Sequence, residues 1–176
     1  MAKVIVIGGG YGGITVAKGL DPVADVVLIE SKDQFVHHAA ALRATVDDVW
    51  QQSMFTPYSY LLQRGSIVQG TVARVEGNTV HLYGREPIEG DYVVFATGST
   101  YPFPAKQITN QARIAQRRLE DLRQNLGQAN RALLIGGGTV GLEMAGELKA
   151  AFPDLKVVVV EKADQILPWP GYTDEF

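Results

Sequence analysis

The hydrophobic pattern opens with a short β-branched run, Val4 to Ile7, that stops at glycine. A helical stretch follows from about Gly12 to Leu20 and halts at Asp21-Pro22, after which Val26 to Ile29 form a second apolar run ending in Glu30. Continuous apolar strands flanking a helix predict a βαβ unit in a parallel sheet covered on both faces. Asp33 to Trp50 reads as helical, with Ala39, Ala40, Ala41, Leu42 and Ala44 favouring a helix and Asp47-Asp48 near its end. From Ile67 the period changes to two. Ile67 to Glu76 and Thr79 to Tyr83 flank Gly77-Asn78, a hairpin signal, and Tyr92 to Ala96 is a further buried strand stopped by Thr97-Gly98.

Tyr101-Pro102-Phe103-Pro104 is expected to be extended, because each proline restricts itself and its predecessor, and it marks the expected boundary between residues 1–104 and 105–176. Beyond it, Ala115, Leu119, Leu122 and Leu126 recur at helical spacing, with Gly127 as a C-terminal stop. Ala132 to Ile135, a second glycine cluster, a helix to about Phe152 and Lys156 to Val160 then repeat the opening βαβ pattern. A doubly wound nucleotide domain needs more strands than this second unit has. Its apolar positions around Leu133 to Ile135 and Val157 to Val160 are therefore expected to be exposed, predicting self-association or disorder after about residue 105.

The glycines carry the chemistry. Gly8-Gly9-Gly10-Tyr11-Gly12-Gly13 satisfies G-x-G-x-x-G through Gly8, Gly10 and Gly13, directly after a strand and opening a helix. Gly8 would make the tight turn, Gly10 would let the backbone approach a pyrophosphate, and Gly13 would let helix pack on strand. The helix N-terminus presents amides and a positive dipole end to phosphate. Glu30, 22 residues beyond Gly8, ends the second strand where a carboxylate can accept ribose hydroxyls. A lone motif of this kind is weak, but Gly136, Gly138 and Gly141 follow Leu133-Leu134-Ile135 in the same way, and Glu161 ends the next strand. No Gly-Lys-Ser/Thr follows either cluster, so nucleotide hydrolysis is disfavoured.

Composition narrows the chemistry further. The 176 residues contain no cysteine, which excludes a disulfide scaffold, a thiolate zinc site and a Cys-x-x-Cys redox centre within this sequence. Redox chemistry would have to come from a cofactor. A net charge of −3 gives no basic field for nucleic acid, and no apolar run approaches the roughly 20 residues of a membrane span. No signal or transit segment is expected before the first strand, and a cytoplasmic location is the default expectation. Two dinucleotide sites in one cysteine-free chain suggest flavin at one and its nicotinamide donor at the other.

These residues resemble the FAD- and NAD(P)H-dependent pyridine nucleotide-disulfide oxidoreductase superfamily. Phe35-Val36-His37-His38, Ala40 to Ala44, Gln69 to Val72, Ala96 to Pro104 and Gly136 to Ala145 resemble more narrowly its apoptosis-inducing-factor-like, ferroptosis-suppressor and type II NADH dehydrogenase-like branch. The resemblance covers essentially the whole sequence, while family chains continue well beyond its length. It implies an α/β fold: a Rossmann-like FAD-binding domain with a hairpin crossover, then an incomplete second Rossmann-like unit for NAD(P)H. By resemblance, Gly8, Gly9, Gly10, Tyr11, Gly12 and Gly13 would hold the FAD pyrophosphate, Glu30 the adenosine ribose, Arg43 a further part of the flavin, and Val72 the adenine through its backbone. Ala96, Thr97 and Gly98 would pass close to the flavin. Gly136, Gly138 and Gly141 would hold NAD(P)H, and Glu143 would act where nicotinamide meets flavin.

The implied function is hydride transfer from NAD(P)H to FAD, then electron transfer to an acceptor, a quinone by family likeness. The runners-up are a protein or small electron carrier as acceptor, and a catalytically inactive dinucleotide-binding module. Glu161 favours NADH, because its charge would repel a 2′-phosphate, although Lys162 beside it weakens the inference. On the residues alone, Arg43 is either a planar phosphate donor or a surface helix arginine, and Glu143 is either a cofactor-side carboxylate or one favoured by the helix dipole. His37-His38 is a flavin-edge pair or a pair of proton donors, or else a solvated loop or helix start, and a poor metal site. Arg113, Arg117, Arg118 and Arg123 interleave with Glu120 and Asp121, as a solvated helix face would.

Overall fold

The computed structural model describes residues 1–167. In chain order the elements are β1 (Lys3–Ile7), α1 (Tyr11–Leu20), β2 (Asp25–Glu30), β3 (Gln34–Val36), a 3₁₀ turn (His38–Ala40), α2 (Ala41–Val46), α3 (Asp48–Ser53) and β4 (Phe55–Pro57). There follow β5 (Ser66–Gln69), β6 (Val72–Glu76), β7 (Thr79–Leu82), β8 (Ile88–Glu89), β9 (Tyr92–Phe95), α4 (Ala112–Gln128), β10 (Arg131–Ile135), α5 (Thr139–Ala151) and β11 (Lys156–Val160). They form two compact units. Among the described residues, one comprises residues 1–37, 55–101 and 108–115, the other residues 38–54, 102–107 and 116–167.

The first unit is built on a parallel sheet of order β5-β2-β1-β9. Strand period two divides its side chains cleanly between the two faces. Val4, Val6, Val26 and Leu28 bury against Ala17, Val16 and Leu20 of α1. Ile5, Ile7, Val27 and Ile29 bury against Val80, Leu82, Val72 and Ile88 of the antiparallel sheet β6-β7-β8. Covering both faces explains why β1 is apolar from Val4 to Ile7 and β2 from Val26 to Ile29; each such side chain contributes about 1.5–3 kcal/mol on burial. Glu76 pairs with Thr79 around Gly77-Asn78, with Gly77 at φ +57°, so the expected hairpin turn is present.

Two expected elements differ. The single strand from Ile67 to Glu76 is interrupted at Gly70-Thr71. Its first part runs parallel to β2, in a ladder that ends where the Gly70 amide donates to the Glu30 carbonyl at 2.8 Å, while its second joins the antiparallel sheet. The single helix from Asp33 to Trp50 is instead a strand, a 3₁₀ turn and two short helices. Partners outside the segment override its helix propensity. Gln34, Phe35 and Val36 pair with Pro57, Thr56 and Phe55, and Asp33 accepts the Ala112 amide on its carboxylate at 2.8 Å. Asp47 ends one helix and starts the next: in extended backbone it caps the end of α2, its amide donating to the Arg43 carbonyl at 3.0 Å, and opens α3 by accepting the amides of Val49 and Trp50 at 2.9 and 3.2 Å.

The second unit pairs β10 with β11 in parallel and covers one face of the pair with α5. Its core unites Met144 and Leu148 of α5, Leu155 and, from far earlier in the sequence, Leu42 of α2. That contact draws residues 38–54 into this unit, so the division is interleaved where a single boundary at 104/105 was expected. Helix α4 also continues one residue past Gly127. Between residues 112 and 160 the chain forms α4, β10, α5 and β11, and the face opposite α5 leaves Leu133, Ile135 and Val160 at 59%, 88% and 50% exposure. No helix among the described residues is long and apolar enough to cross a membrane.

Candidate functional site

In the first unit the turn from β1 into α1 is built by steric necessity. Gly8 has φ +104°, and a Cβ there would lie 2.3 Å from the Ala96 carbonyl oxygen. A Cβ on Gly13 would lie 1.7 Å from the Gly8 carbonyl oxygen, so only glycine lets α1 come this close to the loop. Gly10 and Gly12 differ: a Cβ on either would meet nothing within 4 Å. Gly10 caps α1 without a side-chain hydrogen bond. The strand-side glycines are thus closed by protein, while Gly10 and Gly12 border open space at a helix N-terminus, the arrangement a pyrophosphate requires.

Glu30 closes this loop from the end of β2. One carboxylate oxygen accepts the Gly9 amide at 2.5 Å; the other accepts the Lys32 amide at 2.8 Å and the Ser31 hydroxyl at 3.0 Å. Beside it lies a cleft of ≈ 210 Å³ whose walls include Gly8, Glu30, Val72 and Thr97. Four residues expected at one nucleotide site, scattered from position 8 to position 97, therefore meet at one cleft. Ala96 packs behind Gly8, and Gly98, at φ +70°, turns the chain away after Thr97.

The second unit repeats the arrangement. Gly136 has φ +113°, a Cβ on Gly141 would lie 2.0 Å from the Gly136 carbonyl oxygen, and Gly138 caps α5 with open space beside it. Glu161 accepts the Gly137 amide at 2.6 Å and, on its other oxygen, the amides of Lys162 and Ala163 at 2.8 and 3.1 Å. Those amides, Gly137's foremost, hold the Glu161 carboxyl below the usual carboxylate range.

The remaining candidates are placed elsewhere. Arg43 does not line the first cleft; it belongs to the second unit, with its guanidinium 2.7 Å from Glu147 of α5. Glu143 is exposed on α5, two residues past Gly141. Tyr11 is the first residue of α1, its hydroxyl 2.8 Å from His37 Nδ1 and its ring set edgewise on Phe35. His37 and His38 diverge: His38 Nε2 accepts the Gln107 amide at 3.3 Å.

Two residues with structural claims on the first unit were not singled out by sequence. Tyr58 is buried and donates its hydroxyl to the Gly9 carbonyl at 2.8 Å. No motif marks it, and it follows directly on β4, which pairs with β3. Burial first, then the charges of Glu30 and Asp33, push the phenol above its ordinary range, so it stays protonated and a donor. Asp21, 5% exposed, accepts the amides of Gln63 and Gly65, each at 2.6 Å, and of Arg64 at 3.2 Å. The Gln63 amide foremost lowers its carboxyl.

Comparison with known proteins agrees with this geometry. Residues 2–176 match the family model described as pyridine nucleotide-disulphide oxidoreductase. The chain is 33% identical over 162 residues to human ferroptosis suppressor protein 1, covering 89% of this chain and 43% of that protein. It thus spans less than half the length of that relative. Among solved structures, the water-forming NADH oxidase of Lactobacillus brevis bound to NADH superposes with TM-score 0.73 at 19% identity, over 96% of this chain and 41% of the other. The sulfide:quinone oxidoreductase of Aquifex aeolicus gives 0.66 at 23%, over 90% and 43%. At such identities the two structures speak for the fold, the Rossmann-type α/β architecture of FAD- and NAD-binding oxidoreductases. With a twice-built glycine loop and acid, and a family model that matches from residue 2 onward, the chain belongs to the pyridine nucleotide-disulphide oxidoreductase family.

Proposed function

We propose that this chain carries the FAD-binding loop and the NAD(P)H-binding loop of an oxidoreductase that transfers hydride from NADH to FAD and then delivers electrons to a quinone-like acceptor. One observation supports it above the rest: the same loop, helix and acid occur twice, with Glu30 on Gly9 in one unit and Glu161 on Gly137 in the other. The family is one of flavoproteins that use NAD(P)H. Bound FAD would supply hydride acceptance and onward electron release, chemistry that no side chain of this sequence offers.

The residues fit that group. Gly10 and Gly12 leave room for the pyrophosphate, and the α1 dipole favours its charge. Glu30 would take the adenosine ribose, Val72 the adenine through its backbone, and Thr97 the neighbouring wall. In the second unit Gly136, Gly138 and Gly141 would receive the nicotinamide dinucleotide, and the ionised Glu161 would accept its ribose hydroxyls and repel a 2′-phosphate. Glu143 is assigned to the nicotinamide and Arg43 to the flavin. The quinone is what the likeness to the ferroptosis-suppressor branch implies, and competition between a soluble quinone and a small redox protein tests it.

The deciding experiment is a visible absorption spectrum of the purified chain, repeated after FAD is added and excess removed by gel filtration. A retained flavin band that NADH bleaches faster than NADPH is the expected result. A colourless protein would overturn FAD binding by this chain.

A further inference from the structure

We propose that Tyr58 is a positioning residue for the first glycine loop, its phenol holding the Gly9 carbonyl so that the loop keeps the shape a dinucleotide needs. The inference rests on the nucleotide-binding reading above and assigns a role to a residue outside the motif. Gly9 is the x of G-x-G, a position at which the motif itself does not require glycine. Its reason is Tyr58: a Cβ on Gly9 would lie 2.6 Å from the phenol oxygen and 2.9 Å from the ring carbon that bears it. The ring therefore lies against the bare face of Gly9.

Both peptide groups flanking the Gly9 Cα are thereby tied. Its amide donates to Glu30 at 2.5 Å and its carbonyl accepts from Tyr58 at 2.8 Å. Fixing both planes sets φ and ψ at residue 9, and so the path from the left-handed Gly8 to the extended Gly10. The donor is dependable, because burial and the carboxylates of Glu30 and Asp33 keep the phenol protonated.

The second loop supplies the comparison. There Ile166 fills the place of the tyrosine ring, with Cγ2 2.9 Å from a Cβ built on Gly137, and the Gly137 carbonyl accepts the Leu167 amide at 3.1 Å. That loop is held by main chain, whereas the first is held by a hydroxyl that one substitution removes.

Tyr58→Phe keeps the ring against Gly9 and deletes only the donor. In the ligand-free chain, hydrogen exchange read by NMR should show the Gly9 amide exchanging about tenfold faster. The Gly137 amide, bonded alike to Glu161, should be unchanged, while the thermal midpoint should fall by about 2–4 °C, the cost of one hydrogen bond. FAD titrated by fluorescence should bind about fivefold more weakly, because a loop no longer preorganised must be ordered on binding. Unaltered Gly9 exchange, or equal acceleration at Gly137, would overturn the positioning role. Failure of the unsubstituted chain to bind FAD would count against the nucleotide reading instead, leaving the exchange result to decide Tyr58.

Discussion

Glu161 stands to its loop as Glu30 stands to the first: each carboxylate spends one oxygen on the amide of a middle glycine, at 2.6 and 2.5 Å, and the other on the amide two residues further along the chain. The acid is therefore part of the loop before any nucleotide arrives. Its side chain is oriented by the same protein amides whichever sugar it meets.

This predicts an asymmetric outcome for Glu161→Gln. The amide retains an acceptor for Gly137 but loses the charge that repels a 2′-phosphate. NADPH binding should improve relative to NADH by about tenfold, a shift of about 1.4 kcal/mol in the preference. Titration calorimetry with both nucleotides measures the ratio, and an unchanged ratio would remove Glu161 from donor selection.

The two kinds of loop glycine should separate cleanly. Gly13→Ala places a methyl against the Gly8 carbonyl and should cost about 1–3 kcal/mol of stability or more. Gly10→Ala meets no protein atom within 4 Å, at φ −77° and ψ −169°, so stability should stay within about 0.5 kcal/mol. FAD binding should nonetheless fall at least about tenfold, because the methyl would enter the space assigned to the pyrophosphate. Paired thermal melts and FAD titrations test both halves.

Acid should loosen the fold through Asp21 and Glu161. Both carboxyls are lowered from reference values of 3.8 and 4.5 by backbone amides, so their contribution is complete above about pH 4.5 and is lost as pH falls through the reference values toward the folded ones. Tyr58 has the opposite sign. Its raised phenol stabilises fully below its reference value of 10.0 and loses that contribution as pH climbs beyond it. Melting temperature followed from pH 6 to pH 3 should fall, and Asp21→Asn should start lower and fall less steeply.

Arg43 and Glu147 should couple weakly in folding. The Arg43 side chain is 52% exposed and its partner 13%, so a double-mutant cycle on thermal stability should return about 0.2–1 kcal/mol. FAD titration of Arg43→Gln, run beside it, separates the ion pair from the flavin contact assigned to this arginine. A loss of affinity well beyond the loss of stability would support the flavin assignment.

Much of the site was legible because its logic is local. Gly8, Gly13, Gly136 and Gly141 are dictated by contacts within a single βαβ turn, and Glu30 and Glu161 lie at a distance fixed by one helix and one strand. Tyr58 was not legible, since it lies 49 residues from Gly9 in sequence and belongs to no motif. Residues 33–50 misled for a related reason. Their alanines favour helix, but Phe35 and Val36 answer to β4, and Leu42 answers to Met144 and Leu148. Periodicity reports which face of an element is apolar. It does not report which distant element will cover that face.

The burial of Leu42 among Leu148 and Leu155 bears on how such a chain can be rearranged. A gene cut at residue 104 would separate a core from one of its own side chains, leaving each half with apolar surface whose partner lies in the other piece. Transplanting the second unit into another scaffold would require residues 38–54 to travel with it as a separate insertion. Modules that are contiguous in space can thus be discontinuous in inheritance, and recombination within this chain would be tolerated only at crossovers that respect the weave.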